Sequence, residues 1–520
     1  MKNYKLILFT ILIHLQTSQT LVAQINVPLV DSLMGAAISK LNVVGAAIAI
    51  VKDGEVIIQK GYGNLDIESQ IKTNEQTNFQ IASNSKSFTA TALAILVDEG
   101  KITWEDKVKD HIPEFKMYND YVTNNMNIAD LLTHRSGLGL GAGDLMLFPD
   151  GGNFTVSDVV QVFQHFKPVS AFRTQFDYDN LLYIVAGEVI HRVSGLSFAN
   201  FIENRILNVI DMKRSSVGRK TLLQDKNVAY PHSITSEKTK KINFFEDELS
   251  APAGGIYSNV TDMTNWMLLL LNRGKYGENL ESSLFSVESS KRMWTIHTPI
   301  ATDESKRYNT NFLGYGLGWF LTDMKGHLVV SHTGFVPGMH STVILVPDLG
   351  LGICILNNTD AGGGALNHSV TSSILDKFFG LNELPWVDMG VKFLSQNASK
   401  TDEEAKKVWT LVDSLKQTRF ETEKYIGTYS DRWFGDMVVY LKDTDLRIRS
   451  VRSPKLDGSM HFYQKDIFAI RWDYRDMNCD ALATFSRDEK GNVQSVKMKG
   501  ISPDIDFSFD LQDLDLRKIF

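Results

Sequence analysis

Within the first 380 residues, strand-like runs gather at the two ends and helical stretches lie between them. Val44 to Val51 is an apolar run rich in β-branched residues, Lys52-Asp53-Gly54 is a turn, and Glu55 to Lys60 continues as a second strand. That pattern predicts an antiparallel hairpin. Much later, Leu328 to Val330, His340 to Val346 and Leu351 to Leu356 read as three more strands, the last two joined by the turn Pro347-Asp348-Leu349-Gly350. A helix from about Leu366 to Phe379 closes this unit. A chain so arranged builds one α/β layer from both its ends, with residues 103–250 as a mainly helical insert.

Between the hairpin and the insert lies Phe79-Gln80-Ile81-Ala82-Ser83-Asn84-Ser85-Lys86-Ser87-Phe88, followed by a buried helix that stops at Glu99-Gly100. Ser83 falls on the first turn, at the positive helix end, and Lys86 three residues on shares its face. A serine hydroxyl is a poor nucleophile until a base takes its proton, and a desolvated amine can do that. Ser-x-x-Lys alone is a short motif that also occurs by chance. Its weight comes from Tyr178-Asp179-Asn180 and His332-Thr333-Gly334, which follow in order at wide intervals.

With these three motifs in place, the chain resembles the serine β-lactamase and penicillin-binding-protein-like hydrolases. It is most similar to the group that holds class C β-lactamases, D,D-carboxypeptidases, D-aminopeptidases and esterases. Leu131-Leu132-Thr133-His134-Arg135-Ser136-Gly137-Leu138, Gly254-Gly255 and Gly314-Tyr315-Gly316-Leu317-Gly318-Trp319 add to the likeness, which covers about residues 30–380. The resemblance implies a β-lactamase/transpeptidase-like α/β (α+β) fold, an antiparallel sheet flanked by helices. It also implies roles. Ser83 attacks an acyl carbonyl, and Lys86 and Tyr178 share the general-base work. Asn180 bonds the substrate amide or the Lys86 ammonium, and His332, Thr333, Gly334 and Phe335 line the substrate. The oxyanion lies against the backbone N–H groups of Ser83 and Phe335. Lysine and tyrosine both have ordinary pKa values near 10, so one must fall by about three units, about 4 kcal/mol, to act as base at pH 7.

Two departures stand out. His332 replaces the lysine that most β-lactamases carry, and a histidine is only partly charged at neutral pH. Asp179, with Asp177 beside it, occupies a place where small residues are common. Facing the site it would oppose ionisation of Tyr178, so it is expected to point away. His134 reads as a hydrogen-bonded loop histidine.

Residues 1–24 read as a secretory signal: Lys2 and Lys5 flank the start of an apolar run from Leu6 to Leu15, and small residues end at Val22-Ala23-Gln24. Cleavage after Ala23 or Gln24 places the protein in the periplasm or outside the cell. No other stretch is long enough for a bilayer span. Cys354 and Cys479, the sole cysteines, fall in different expected domains, which argues against a disulfide. A net charge of -7 without a basic block argues against a nucleic-acid partner. The glycines from Gly137 to Gly143 follow a helix rather than a strand, which excludes a dinucleotide loop. There is no Gly-x-Ser-x-Gly elbow, no His-Glu-x-x-His and no metal spacing among the histidines, so no cofactor or metal is expected.

The remaining boundaries follow from pattern changes: a hydrolase domain over 25–380, a linker over 381–420 with a charged helix near Thr401 to Gln417, and a small antiparallel barrel or sandwich over 421–520. Leu446-Arg447-Ile448-Arg449 and Ile505-Asp506-Phe507-Ser508-Phe509 alternate as strands should, and Trp433, Phe468 and Trp472 read as core. Tyr425-Ile426-Gly427-Thr428-Tyr429 resembles the lipocalin-like accessory domain that some family members carry. The expected activity is hydrolysis of an amide or ester, such as a D-amino-acid peptide, a β-lactam or a small acyl ester, through an acyl-enzyme on Ser83. A carboxylesterase of the same fold and a penicillin-binding sensor without turnover stand as alternatives. Oligomeric state is open.

Overall fold

The computed structural model describes residues 25–235, 238–302, 306–415 and 421–519. The expected signal segment lies outside the described residues. Residues 45–357 hold an eight-stranded antiparallel sheet. Its strand order is Thr298–Ile300, Leu313–Tyr315, Phe320–Met324, His327–Val336, Met339–Val346, Leu351–Asn357, Gly45–Lys52 and Glu55–Gly63. The N-terminal hairpin thus joins the late strands, with Ala49 opposite Cys354. Ala47, Ala49 and Val51 face one core, and Ala46, Ile48 and Ile50 face another. Burial on both faces is why this stretch is apolar throughout instead of alternating. Helices Val27–Lys40 and Ala361–Phe378 cover one side.

The helix Ser85–Asp98 runs through the other core, buried from Ser85 to Leu96. Phe88 stacks on Trp266 of the helix Val260–Leu271 with ring centroids 3.9 Å apart. Asn259 caps that second helix through the Asp262 N–H, while Asp262 itself accepts from Arg214 N and Ser215 Oγ. The closing helix begins at Ala361, about five residues before the sequence pattern suggests, because Asp360 caps it and glycines occupy its first turn. The linker helix runs from Trp386 to Ser414, far longer than expected. Its first turns pack on Ser369 and Asp376 of the preceding helix through Trp386. Both cysteines are free and buried.

The C-terminal region is a closed eight-stranded barrel, sealed where Leu516–Lys518 pairs with both Gly427–Asp431 and Val493–Gly500. Phe468 and Trp472 are buried within it, whereas Trp433 packs edge-on against Phe166 of the hydrolase domain. Barrel and hydrolase residues share one continuous apolar core. Arg452 and Lys455 of the barrel pair with Asp158 and Asp150 across the junction.

One expectation fails instructively. Ile505 to Phe509 is not a strand but a turn-rich loop. The Asp506 carboxylate accepts from Ser508 N, and Phe509 N bonds back to Asp506 O. Aspartate offers the backbone this local alternative to a ladder. The alternation is real, but its two phenylalanines face residues of the N-terminal region: Phe507 stands edge-on to Tyr178 and Phe509 to Phe148.

Candidate active site

Ser83 sits on a tight turn, Ala82–Asn84, that passes directly into the helix Ser85–Asp98. Ala82 holds φ at +47°, a left-handed conformation costly for a residue with a Cβ, and this bend presents Ser83 to the cleft. Strand His327–Val336 passes so close that a Cβ on Gly334 would lie 2.3 Å from Ile81 O and 2.9 Å from Ser83 N. Glycine is therefore required there. The same approach sets Phe335 beside the Ser83 turn, its side chain exposed in the cleft.

Lys86 is wholly buried beneath Ser83, with Nζ 3.2 Å from Ser83 Oγ, 2.7 Å from Asn180 Oδ1 and 3.0 Å from Ala253 O. Among the described residues no carboxylate forms an ion pair with it. Burial lowers its pKa from 10.5 to about 7, although the charges of Asp144 and Asp179 resist that fall. Nζ also lies 4.8 Å from the Tyr178 ring centre and 5.1 Å from that of Tyr183. Tyr178 is hydrogen-bonded to Ser83, yet burial drives its pKa well above 10, with Asp144 and Asp506 adding to the rise.

Asp179 turns away from Tyr178. Its Oδ1 accepts from Leu182 N at the start of the helix Leu181–Ser194. His134 lies over Tyr178 at 4.2 Å, and its Nδ1 accepts from Asp179 N, so the ring holds the second motif in place. Burial keeps it neutral.

His332 departs most from the role that the resemblance implies. Its Nε2 is 2.9 Å from the Tyr315 hydroxyl and its Nδ1 2.6 Å from Thr333 O. The carbonyl can only accept, so Nδ1 carries the proton and Nε2 accepts from tyrosine. Burial pushes the pKa to about 3, with Lys86 adding to the fall. The ring touches the cleft but presents no free cation for a substrate carboxylate.

Ser83, Tyr178, Asn180, His332, Thr333 and Phe335 all line one cleft of about 250 Å³. Sequence reasoning missed the opposite wall, which comes from the barrel: Asp506, Phe507, Ser508 and Phe509. The loop is anchored by Asp510, whose carboxylate accepts from Gly143 N and Leu145 N, both at 2.8 Å. A Cβ on Gly141 would lie 2.7 Å from the Phe507 ring, so the glycine run is the seat of this loop. That run was the available signal. It was legible as something to explain, but its partner lies more than 350 residues away in the chain. Among the described residues, Asp506 is the one carboxylate lining the cleft, and no lysine or arginine lines it. Among the described residues, no group of three or more His, Cys, Asp or Glu is placed to hold a metal ion, and no single helix is long and apolar enough to cross a membrane.

A serine on a strained turn, a buried amine beneath it and a strand edge beside it define the class of serine acyl-transfer folds. The chain belongs to the beta-lactamase family: residues 29–369 match the family model described as Beta-lactamase, and residues 417–518 match a domain of unknown function (DUF3471). Protein flp of Staphylococcus aureus (strain COL) is 28% identical over 340 residues, covering 64% of this chain and 63% of that protein. Unguisins hydrolase ungD' of Aspergillus campestris is 24% identical over 353 residues, covering 65% of this chain and 63% of that one. The chain thus spans about 63% of the length of these curated relatives. Among solved structures, the octameric penicillin-binding protein homologue from Pyrococcus abyssi superposes with a TM-score of 0.61 at 20% identity, covering 95% of this chain and all of that one. A D-stereospecific amidohydrolase from Streptomyces sp. superposes with a TM-score of 0.55 at 22% identity, covering 68% of this chain and 99% of that one. At these identities the structures speak for the fold alone.

Proposed function

We propose that this chain is an exported serine hydrolase that cleaves an amide or ester through an acyl-enzyme on Ser83. Lys86 is the base, because it is the partner whose pKa is brought to about 7, while Tyr178 stays protonated. Ser83 Oγ bonds to the acyl carbon as Lys86 takes its proton. The C–N or C–O bond then breaks, Tyr178 protonates the leaving group and recovers a proton from Lys86. Water releases the acid by the reverse order of transfers. The N–H groups of Ser83 and Phe335 hold the oxyanion.

The locked, neutral His332 carries the choice of substrate. With both its nitrogens engaged and Asp506 across the cleft, the site favours an acyl group that is neutral or bears an ammonium over one that bears a carboxylate. A D-amino-acid amide or peptide fits that description better than a penicillin. The name of one similar protein, a D-stereospecific amidohydrolase, accords with hydrolysis at an amide, and that of another, an unguisins hydrolase, with hydrolysis. A carboxylesterase is the second reading, favoured by the six phenylalanines lining the cleft, Phe148, Phe245, Phe320, Phe335, Phe507 and Phe509.

The test is a panel of D- and L-aminoacyl p-nitroanilides, p-nitrophenyl esters and a penicillin, run on the wild type and Ser83→Ala. Turnover of D-aminoacyl anilides, lost in the variant, supports the reading. Ester turnover alone moves the assignment to an esterase. A stable penicilloyl adduct without turnover of anything in the panel overturns it in favour of a sensor. Export rests on residues 1–24 and is tested by fractionation and N-terminal sequencing of the mature protein.

A further inference from the structure

Asn180 can hold Lys86 only if its amide is turned the right way. Its Oδ1 faces Nζ, and its Nδ2 donates to Asp144 Oδ2 at 2.7 Å. The same Asp144 oxygen accepts from Ser508 Oγ of the barrel at 2.9 Å. Four side chains from three parts of the chain thus form one line: Ser508, Asp144, Asn180 and Lys86.

The arrangement is a costly one. Asp144 is fully buried, and its Oδ1 has no hydrogen-bond partner among the described residues. Asp510, also fully buried, stands close enough to add to the rise in its pKa. An apolar contact could dock the barrel without either carboxyl. What Asp144 supplies, and an apolar side chain does not, is an acceptor that an Asn amide can satisfy in one orientation only. With that acceptor gone, the amide is free to turn its N–H groups toward Lys86, where donor would meet donor.

We propose that Asp144 and Ser508 are positioning residues for Lys86, so that the barrel supplies part of the apparatus activating Ser83; this rests on the reading of Ser83 as nucleophile and Lys86 as base. The titratable groups around Lys86 are Asp144, Asp179, Tyr178, Tyr183, His134 and His332. Of these, Asp144 alone is bonded to a residue of the barrel that lines the cleft. An ammonium that loses its Asn180 acceptor is less stable, so its pKa falls.

The experiment measures labelling of Ser83 by a fluorophosphonate as a function of pH in the full chain, for the wild type, S508A, D144A and D144N, with circular dichroism to confirm folding. S508A should label about 3–10-fold more slowly and D144A about 30-fold or more, consistent with the loss of buried hydrogen bonds. In both variants the acid limb should move to lower pH while the plateau falls. D144N, which keeps an acceptor for Asn180, should label within about fivefold of the wild type. A merely structural role would lower the melting temperature and leave the limb in place. Folded S508A and D144A with wild-type rates and limbs overturn the inference, as does a D144N as slow as D144A. If D144A does not fold, S508A and D144N decide. A wild-type chain that is not labelled overturns both this inference and the reading beneath it.

Discussion

The Tyr315 hydroxyl stands 2.9 Å from Nε2 of His332, and this contact removes the one side chain at the third motif that could have met a carboxylate as a cation. Tyr315→Phe takes away the donor and strands a buried ring nitrogen. Stability should fall by about 1–2 kcal/mol, read by urea denaturation. Reactivity toward penicillin should stay where it is in the wild type, because the freed ring remains neutral. A marked drop in KM for carboxylate-bearing substrates alone would show that His332 binds carboxylates once unlocked.

The base assignment fixes a pH profile. Lys86 must be deprotonated to accept the Ser83 proton, and its pKa lies at about 7. The acylation rate should therefore rise through about pH 7 and fall tenfold per unit well below it. Tyr178, held above its ordinary value, should leave no basic limb below pH 10. An acid limb near 10 would instead mean that Lys86 keeps its ordinary basicity.

Lys86 should also cost the protein stability. Its folded pKa of about 7 lies below the ordinary 10.5, so the unfolded chain binds the proton more tightly. The penalty grows as pH falls from 10.5 to about 7 and is constant below that. Lys86→Met should be inactive yet more stable by about 1–3 kcal/mol at pH 7, the lost hydrogen bonds discounting the gain. The advantage should shrink toward pH 10, and equal denaturation midpoints at pH 7 and pH 10 would contradict it.

Gly334→Ala places a methyl group against Ile81 O and Ser83 N. The strand must retreat, carrying the Phe335 N–H away from the oxyanion. Loss of one such donor costs about 10²–10³-fold in acylation rate. The variant should fold, since the clash is local, and a wild-type rate would refute the placement of the oxyanion site.

Much of this architecture was legible because it is local. The apolar run at Val44 to Val51 and the turn at Pro347 to Gly350 depend on a few adjacent residues. Ser83 and Lys86 come together because three residues make nearly one helical turn. The alternation in Ile505 to Phe509 misled because a period of two says only that successive residues face opposite ways, not that a strand pairs with them. Likewise the glycines from Gly137 to Gly143 could be read only as no dinucleotide loop, because the Phe507 ring that approaches Gly141 comes from a distant part of the chain.

By itself, then, the sequence determined the class of chemistry, the helix that presents Ser83 and Lys86, and the two-part layout of sheet and barrel. These follow from short-range spacing and hydrophobic period. Only the tertiary structure decided that His332 is locked and neutral, that Lys86 rather than Tyr178 has its pKa lowered, and that the barrel walls the cleft. Those outcomes depend on burial and on contacts between residues far apart in the chain, and neither is written in any local pattern.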